Sequence, residues 1–375
     1  MNSTKQRSRR SFLNFGARTA AAIGLSEVLS PISLSAASPN RVVICIYLLG
    51  GNDSNNMIVP LDSPAYDAYA RGRGPLALAK DALLDVQSGA STRYGFHPNL
   101  PGLRDLYNRN ALALVANVGR VSPGRSTVGD LTDNIAEMQV RYVPGGYLAI
   151  PWAVPAPAAS EPQQVLALPH GVTLSAPGAD PERHRDLVES VATTSTEGRL
   201  PATGLGEQLD TVLAALRMGA FEQQAFLVPM AGFETKRNQL SRQASLFAEM
   251  DSALVALHRA VSDLGMAESV TVYTDTEFNR TLTPNKSGGT GHAWGGHHLV
   301  MGGSTLGGRI YGQFPSLEVG GPDDAAGNGT WAPSTSSAQY AATLASWYGN
   351  TDLADVPEYA ASSGADRARL NFLAH

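Results

Sequence analysis

The sequence predicts an α/β protein with a doubly wound, mostly parallel sheet and helices on both faces. Three observations carry that prediction. Apolar, β-branched runs stop at glycines, helical periodicities lie between them, and 43% of the 375 residues are hydrophobic against 16% charged, ample for a large core. The first run, Arg41 to Leu49, halts at Gly50-Gly51; a strand buried on both faces reads this way because neither face needs polar residues. Leu112 to Val118 before Gly119 and Ala225 to Met230 before Gly232 follow the same pattern, and a fourth run, Ser269 to Thr274, precedes a polar stretch. Between the last two, Leu240, Ala244, Phe247, Met250, Leu254, Leu257, Val261 and Leu264 recur every three or four residues, and Gly265 closes the helix. Shorter helical patterns cover Leu100 to Tyr107, Leu205 to Leu216 and Ser337 to Tyr348. The proline-rich stretch 144–181 reads as an irregular excursion or cap, and Gly303 to Pro333 as loops with short strands.

Composition removes several function classes. One cysteine, Cys45, allows no intramolecular disulfide and no cysteine-rich zinc site. A formal net charge of -5 gives no basic face for nucleic acid, and no apolar run approaches the roughly 20 residues of a transmembrane segment. Residues 1–37 read as a twin-arginine signal peptide. Arg9 and Arg10 sit in Ser8-Arg9-Arg10-Ser11-Phe12-Leu13, an alanine-rich stretch runs from Thr19 to Leu29, and small residues from Ser33 to Ser38 supply a cleavage zone. The expectation is one α/β domain over 38–375, passed by the twin-arginine translocase to the periplasm or otherwise exported.

In open α/β sheets ligands bind at the carboxyl ends of the strands, which directs attention to four segments. After the first strand, Asp53 in Gly50-Gly51-Asn52-Asp53-Ser54 is either a hard oxygen ligand for a metal or the cap of a turn. After the second, Ser126, preceded by Arg125, is either a nucleophile near helix amides or an ordinary N-cap. Glu277 follows the fourth strand as a ligand, a general base or a surface residue. His292, His297 and His298 lie within seven residues of glycine-rich sequence, read as a loop whose rings either converge on a metal or face solvent. His97, in Gly95-Phe96-His97-Pro98, reads as a helix-entry turn residue. No phosphate loop, Gly-x-Ser-x-Gly elbow or His-Glu-x-x-His is present.

Taken in order, the paired arginines, the strand with Gly50-Gly51-Asn52-Asp53, and Phe96-His97-Pro98 with Leu100 and Leu103 form a familiar series. It continues through Gly232-Phe233 with Asn238-Gln239, Glu277-Phe278 with Arg280-Thr281, and Gly288-Gly289-Thr290 to His292-Ala293-Trp294-Gly295 and Gly302-Gly303. Over about residues 40 to 350 the chain resembles the exported domain-of-unknown-function family numbered 1501, placed with the alkaline phosphatase and sulfatase superfamily. The resemblance implies an alkaline-phosphatase-like sheet with a site at the strand ends. There a divalent metal (zinc, manganese, magnesium or calcium) activates a serine, threonine or modified cysteine against a phosphate or sulfate ester.

The departures from that family are specific. Where it reads Gly-Phe-Asp-Thr-His, this chain has Gly232, Phe233, Glu234, Thr235 and Lys236. Gly291 replaces the aspartate before His292, and Thr127-Val128 follow Arg125-Ser126 in place of His-Phe. An ammonium repels a dication where an imidazole would hold it. The expectation is therefore a degraded metal site, retaining Asp53, Glu234, Glu277, His292, His297 and His298. Lys236 and Arg125 would then hold an anionic small molecule, or the surface would meet an envelope protein, without efficient hydrolysis. The alternative is a working phosphate- or sulfate-ester hydrolase with a single-metal or rearranged site of Asp53, His292 and His297 or His298. A third possibility uses the histidine stretch as an interaction surface.

Overall fold

Arg41–Leu48 forms β1, and its alternating side chains explain the layering. Val42, Ile44, Ile46 and Leu48 join one hydrophobic cluster, while Val43, Cys45 and Tyr47 join another on the opposite face. The computed structural model describes residues 40–88, 92–120, 141–143, 147–150, 165–175, 181–193, 200–219, 223–349 and 369–374. These belong to one compact unit, Pro39–His375. The signal segment with Arg9 and Arg10, and also Arg125 and Ser126, lie outside the described residues.

Among the described residues the chain continues through β2 (Ile58–Pro60), α1 (Ala65–Arg73), β3 (Leu84–Ser88), β4 (Thr92–Phe96), α2 (Pro101–Asn108) and β5 (Leu112–Gly119). Then come β6 (Arg141–Val143), β7 (Tyr147–Ala149), β8 (Val165–Ala167), β9 (Thr173–Ser175), α3 (Pro181–Thr193), α4 (Gly204–Met218) and β10 (Gln223–Met230). The remainder is α5 (Gln239–Asp263), β11 (Val270–Asp275), β12 (Asn279–Arg280), β13 (His292–Ala293), β14 (Gly296–Gly302), β15 (Ile310–Tyr311), β16 (Thr335–Ser336) and α6 (Ser337–Tyr348).

The main sheet has nine strands, ordered β15-β5-β14-β11-β1-β10-β9-β8 with β16 also on β5. Its centre is parallel: β1 pairs with β10 from Arg41↔Gln223 to Leu48↔Met230, and with β11 from Val42↔Val270 to Tyr47↔Asp275. The mostly parallel expectation is corrected beyond that centre. Strand β14 runs antiparallel to both β11 and β5, and β9 runs antiparallel to β10 and β8. Of these pairs only β8 and β9 follow one another directly, through the short connection 168–172 that antiparallel neighbours allow. The irregular excursion is corrected too: within 144–181, β8 and β9 extend the sheet, with Val172 and Leu174 fully buried.

On one face α2, α4 and α5 supply Leu103, Leu209, Leu213, Phe247, Met250 and Leu257; on the other, α6 supplies Tyr340, Leu344 and Trp347. Helix α5 also ties its neighbours by their N-termini. Asp251 accepts from the amides of Gly102 (3.1 Å) and Leu103 (2.7 Å), and Glu249 accepts from Leu205 (2.8 Å). Those amides have no intrahelical partner, so a carboxylate from outside satisfies them. Among the described residues no helix is long and apolar enough to cross a membrane.

Candidate functional site

The segments that leave the carboxyl ends of β1, β10 and β11 meet in one polar cluster. The chain leaves β1 through Gly50 and Gly51, at φ 106° and 85°, conformations that L side chains rarely adopt. Space also demands glycine: a Cβ on Gly50 would lie 2.4 Å from the Glu234 nitrogen, and one on Gly51 would lie 2.1 Å from the Phe278 ring. The Glu277 carboxylate closes this turn, accepting from Gly50 N (3.0 Å) and Gly51 N (3.2 Å). Thr276 Oγ1 donates to the Leu48 carbonyl and accepts from Asn52 N. Glu277 therefore acts here as a turn-closing acceptor.

Asp53 takes the turn-capping alternative. It is 1% exposed and caps the short turn Ser54–Asn56, its Oδ1 accepting from Asn55 N at 3.1 Å and Asn55 Nδ2 at 3.0 Å. Its Oδ2 accepts from the buried Arg73 guanidinium and from Gln239 Nε2. Arg280 is likewise fully buried, but carbonyls hold it: Gly50, Gly51, Phe233 and Thr290, at 2.5 to 3.1 Å. Burial works against its charge, while Asp53, Glu234 and Glu277 support it.

Toward solvent, Lys236 Nζ lies 2.6 Å from Glu234 Oε1, with the two side chains 55% and 49% exposed. The hydrogen bond from Lys236, aided by Arg280, holds the Glu234 carboxyl below its ordinary range against a modest desolvation effect. His292 Nε2 stands 3.7 Å and Arg280 Nη2 3.8 Å from the same Glu234 oxygen. The His292 ring stacks on Phe278, centroids 3.9 Å apart. Burial first, then the charges of Lys236 and Arg280, lower its pKa and favour the neutral ring.

The glycine-rich histidine stretch is strand at both ends, His292–Ala293 in β13 and Gly296–Gly302 in β14, which corrects the loop expectation and takes His297 and His298 away from the surface. His297 and His298 are 2% and 5% exposed within β14, and consecutive strand residues point to opposite faces. His297 stacks on Phe314 at 4.3 Å, and its Nδ1 accepts from Asn117 N at 3.0 Å. In the neutral ring that bond places the proton on Nε2, an atom without a hydrogen-bond partner. His298 stacks on Tyr340 at 5.3 Å. Burial pushes the two pKa values down to about 3 and about 4. His97 is the turn residue expected, its Nδ1 accepting from Asn99 N at 3.0 Å ahead of α2.

The cluster thus gathers Glu234, Lys236 and His292 with Arg280; Asp53 is buried on Arg73, Glu277 lies on the diglycine turn, and His297 and His298 sit among aromatic rings. Among the described residues no three His, Cys, Asp or Glu side chains are grouped to hold a metal ion. Sequence reasoning missed Arg73, Arg280, Gln239 and Phe278 as parts of this architecture. The last three stand in the segments that carry the family resemblance, whereas nothing in the local sequence marks Arg73.

Fold and site together define an α/β protein with a mixed sheet and a charged side-chain cluster at the carboxyl edge of its parallel centre. The sequence model of a family described as "Protein of unknown function (DUF1501)" matches residues 179–325. That match contains Glu234, Lys236, Glu277, Arg280 and all three histidines of the 292–298 segment, and leaves Asp53 and Arg73 outside it. No curated protein matches the chain.

Proposed function

We propose that the chain is an exported protein of the alkaline phosphatase and sulfatase kind whose hydrolytic centre has decayed. It binds an anionic small molecule or an envelope protein at this cluster without efficient hydrolysis. The observation that carries the proposal is the 2.6 Å pairing of Lys236 with Glu234, beside His292 and the buried Arg280. Metal-assisted ester hydrolysis needs several converging anionic or imidazole donors. The side chains here do not fit that demand. Each Asp53 oxygen already receives hydrogen-bond donors, Glu234 Oε1 carries an ammonium, and His297 presents a proton at Nε2. No step through a metal follows from such a set. The half-exposed Lys236 ammonium beside the neutral His292 imidazole suits a phosphate, sulfate or carboxylate instead, with the buried Arg280 adding charge from behind and not by contact.

The test combines metal analysis of the purified mature protein, turnover of aryl phosphate and sulfate esters, and calorimetric titration of inorganic phosphate and sulfate. The expected result is substoichiometric metal, no turnover above buffer, and anion binding that weakens as salt rises. Stoichiometric zinc or manganese with turnover that disappears in Asp53→Ala would establish a working metallohydrolase in its place.

A further inference from the structure

We infer that Arg73 is the built-in cation of Asp53, so that this carboxylate is a permanent internal counter-ion and not a site for exchangeable metal. The inference goes beyond the proposed ligand at Lys236 and does not depend on it. A carboxylate offers about four lone-pair directions, and donors fill them: Asn55 N and Nδ2 on one oxygen, Arg73 Nη2 and Gln239 Nε2 on the other, with Thr290 Oγ1 further off at 3.4 Å. Both members of the ion pair have side chains with 0% exposure, so bulk solvent does not reach them.

Arg73 is itself fixed on every side that matters. Its Nε donates to Asn56 Oδ1 at 2.9 Å, and its Nη1 donates to the carbonyls of Thr281 and Leu282, both at 3.0 Å. Tyr69 holds the same Asn56 oxygen at 2.9 Å, and Asn56 Nδ2 donates to the Leu76 carbonyl at 3.1 Å. Gln239 is equally committed, its Oε1 accepting from Thr290 Oγ1 at 2.6 Å while its amide serves Asp53. A dication reaching Asp53 would have to displace a guanidinium held by three further acceptors. It would also approach the second buried guanidinium, Arg280, whose charge already interacts with Asp53. Like charges in a poorly screened interior make that exchange unfavourable.

Crystals of the full chain soaked in manganese, with data collected for anomalous scattering, test the metal side directly. No anomalous peak on the Asp53 carboxylate is expected, and a peak there overturns the inference. Asp53→Asn, Arg73→Gln and the double variant test the pairing through thermal midpoints. Each single change strands one buried charge and should lower the midpoint by roughly 6–10 °C, whereas the neutral double should recover much of that loss. A double variant that loses the sum of the two single effects overturns the inference. Where neither single variant accumulates folded, a folded double supports it and an unfolded double overturns it. Ester turnover with no metal on Asp53 would defeat the proposed function and leave this pairing standing.

Discussion

Replacing Lys236 by alanine separates a structural role from a ligand-binding role. The ammonium meets Glu234 Oε1 at 2.6 Å, but both side chains are about half exposed, and exposed ion pairs of this kind contribute about 0.2–1 kcal/mol. Folding stability should therefore fall by less than about 1 kcal/mol. The effect on an anion is larger. At roughly 5 Å with water-like screening, one pair of unit charges is worth about 0.8 kcal/mol, so a phosphate dianion loses about 1.7 kcal/mol, or roughly 15-fold in affinity. The loss should shrink as ionic strength rises, because these charges face solvent. Calorimetric titration of inorganic phosphate into wild type and Lys236→Ala at two salt concentrations reads the effect, and urea melts of both proteins read stability. Unchanged affinity with intact stability would refute the reasoning, as would a large stability loss, which would make Lys236 a structural residue.

The other predictions concern folding and export. Asp251→Ala should cost about 1–2 kcal/mol in urea unfolding, because α2 loses two acceptors at its first amides. Burial holds His97, His297 and His298 neutral, with pKa values of about 4, 3 and 4. Each lies below the unfolded value near 6.5, so acid protonates the unfolded chain first. Stability should fall as pH drops from about 6.5 toward those folded values, by up to about 1.4 kcal/mol per pH unit for each histidine. Urea melts of His298→Gln at pH values across that window should show a shallower decline than wild type, and equal slopes would count against the neutral ring. Arg9→Lys with Arg10→Lys should retain the precursor in the cytoplasm; immunoblots of fractionated cells showing normal export would remove the twin-arginine assignment.

Strands β1, β5, β10 and β11 and helix α5 were legible because their apolar residues form continuous runs or a sustained helical period, the two signals that burial writes most clearly. Strand direction is not written that way: nothing in Gly296–Gly302 says that β14 runs against β11. The same segment hid its strand because two glycines and two histidines dilute its apolar character, while ring stacking on Phe314 and Tyr340 depends on residues distant in sequence. Strands β8 and β9 were hidden in a proline-rich stretch, three residues each and too short to show a period. At the site, Asp53 could be picked out from its diglycine turn, and Glu234 and Lys236 from the family resemblance of Gly232–Lys236. The partner of Asp53 could not, since Arg73 sits twenty residues away on a helix with no distinguishing pattern.

The way Arg280 is anchored has a consequence for the charge of the cluster. Dipoles, not a directly bonded acid, satisfy most of its protons, and the one carboxylate oxygen in range stands back at 3.8 Å. Carbonyls can orient a monopole but cannot cancel it, and a guanidinium keeps its proton under all ordinary conditions. This inner cation should therefore persist from mildly acid to strongly alkaline medium, offset by Asp53, Glu234 and Glu277 together and not by any single bonded partner.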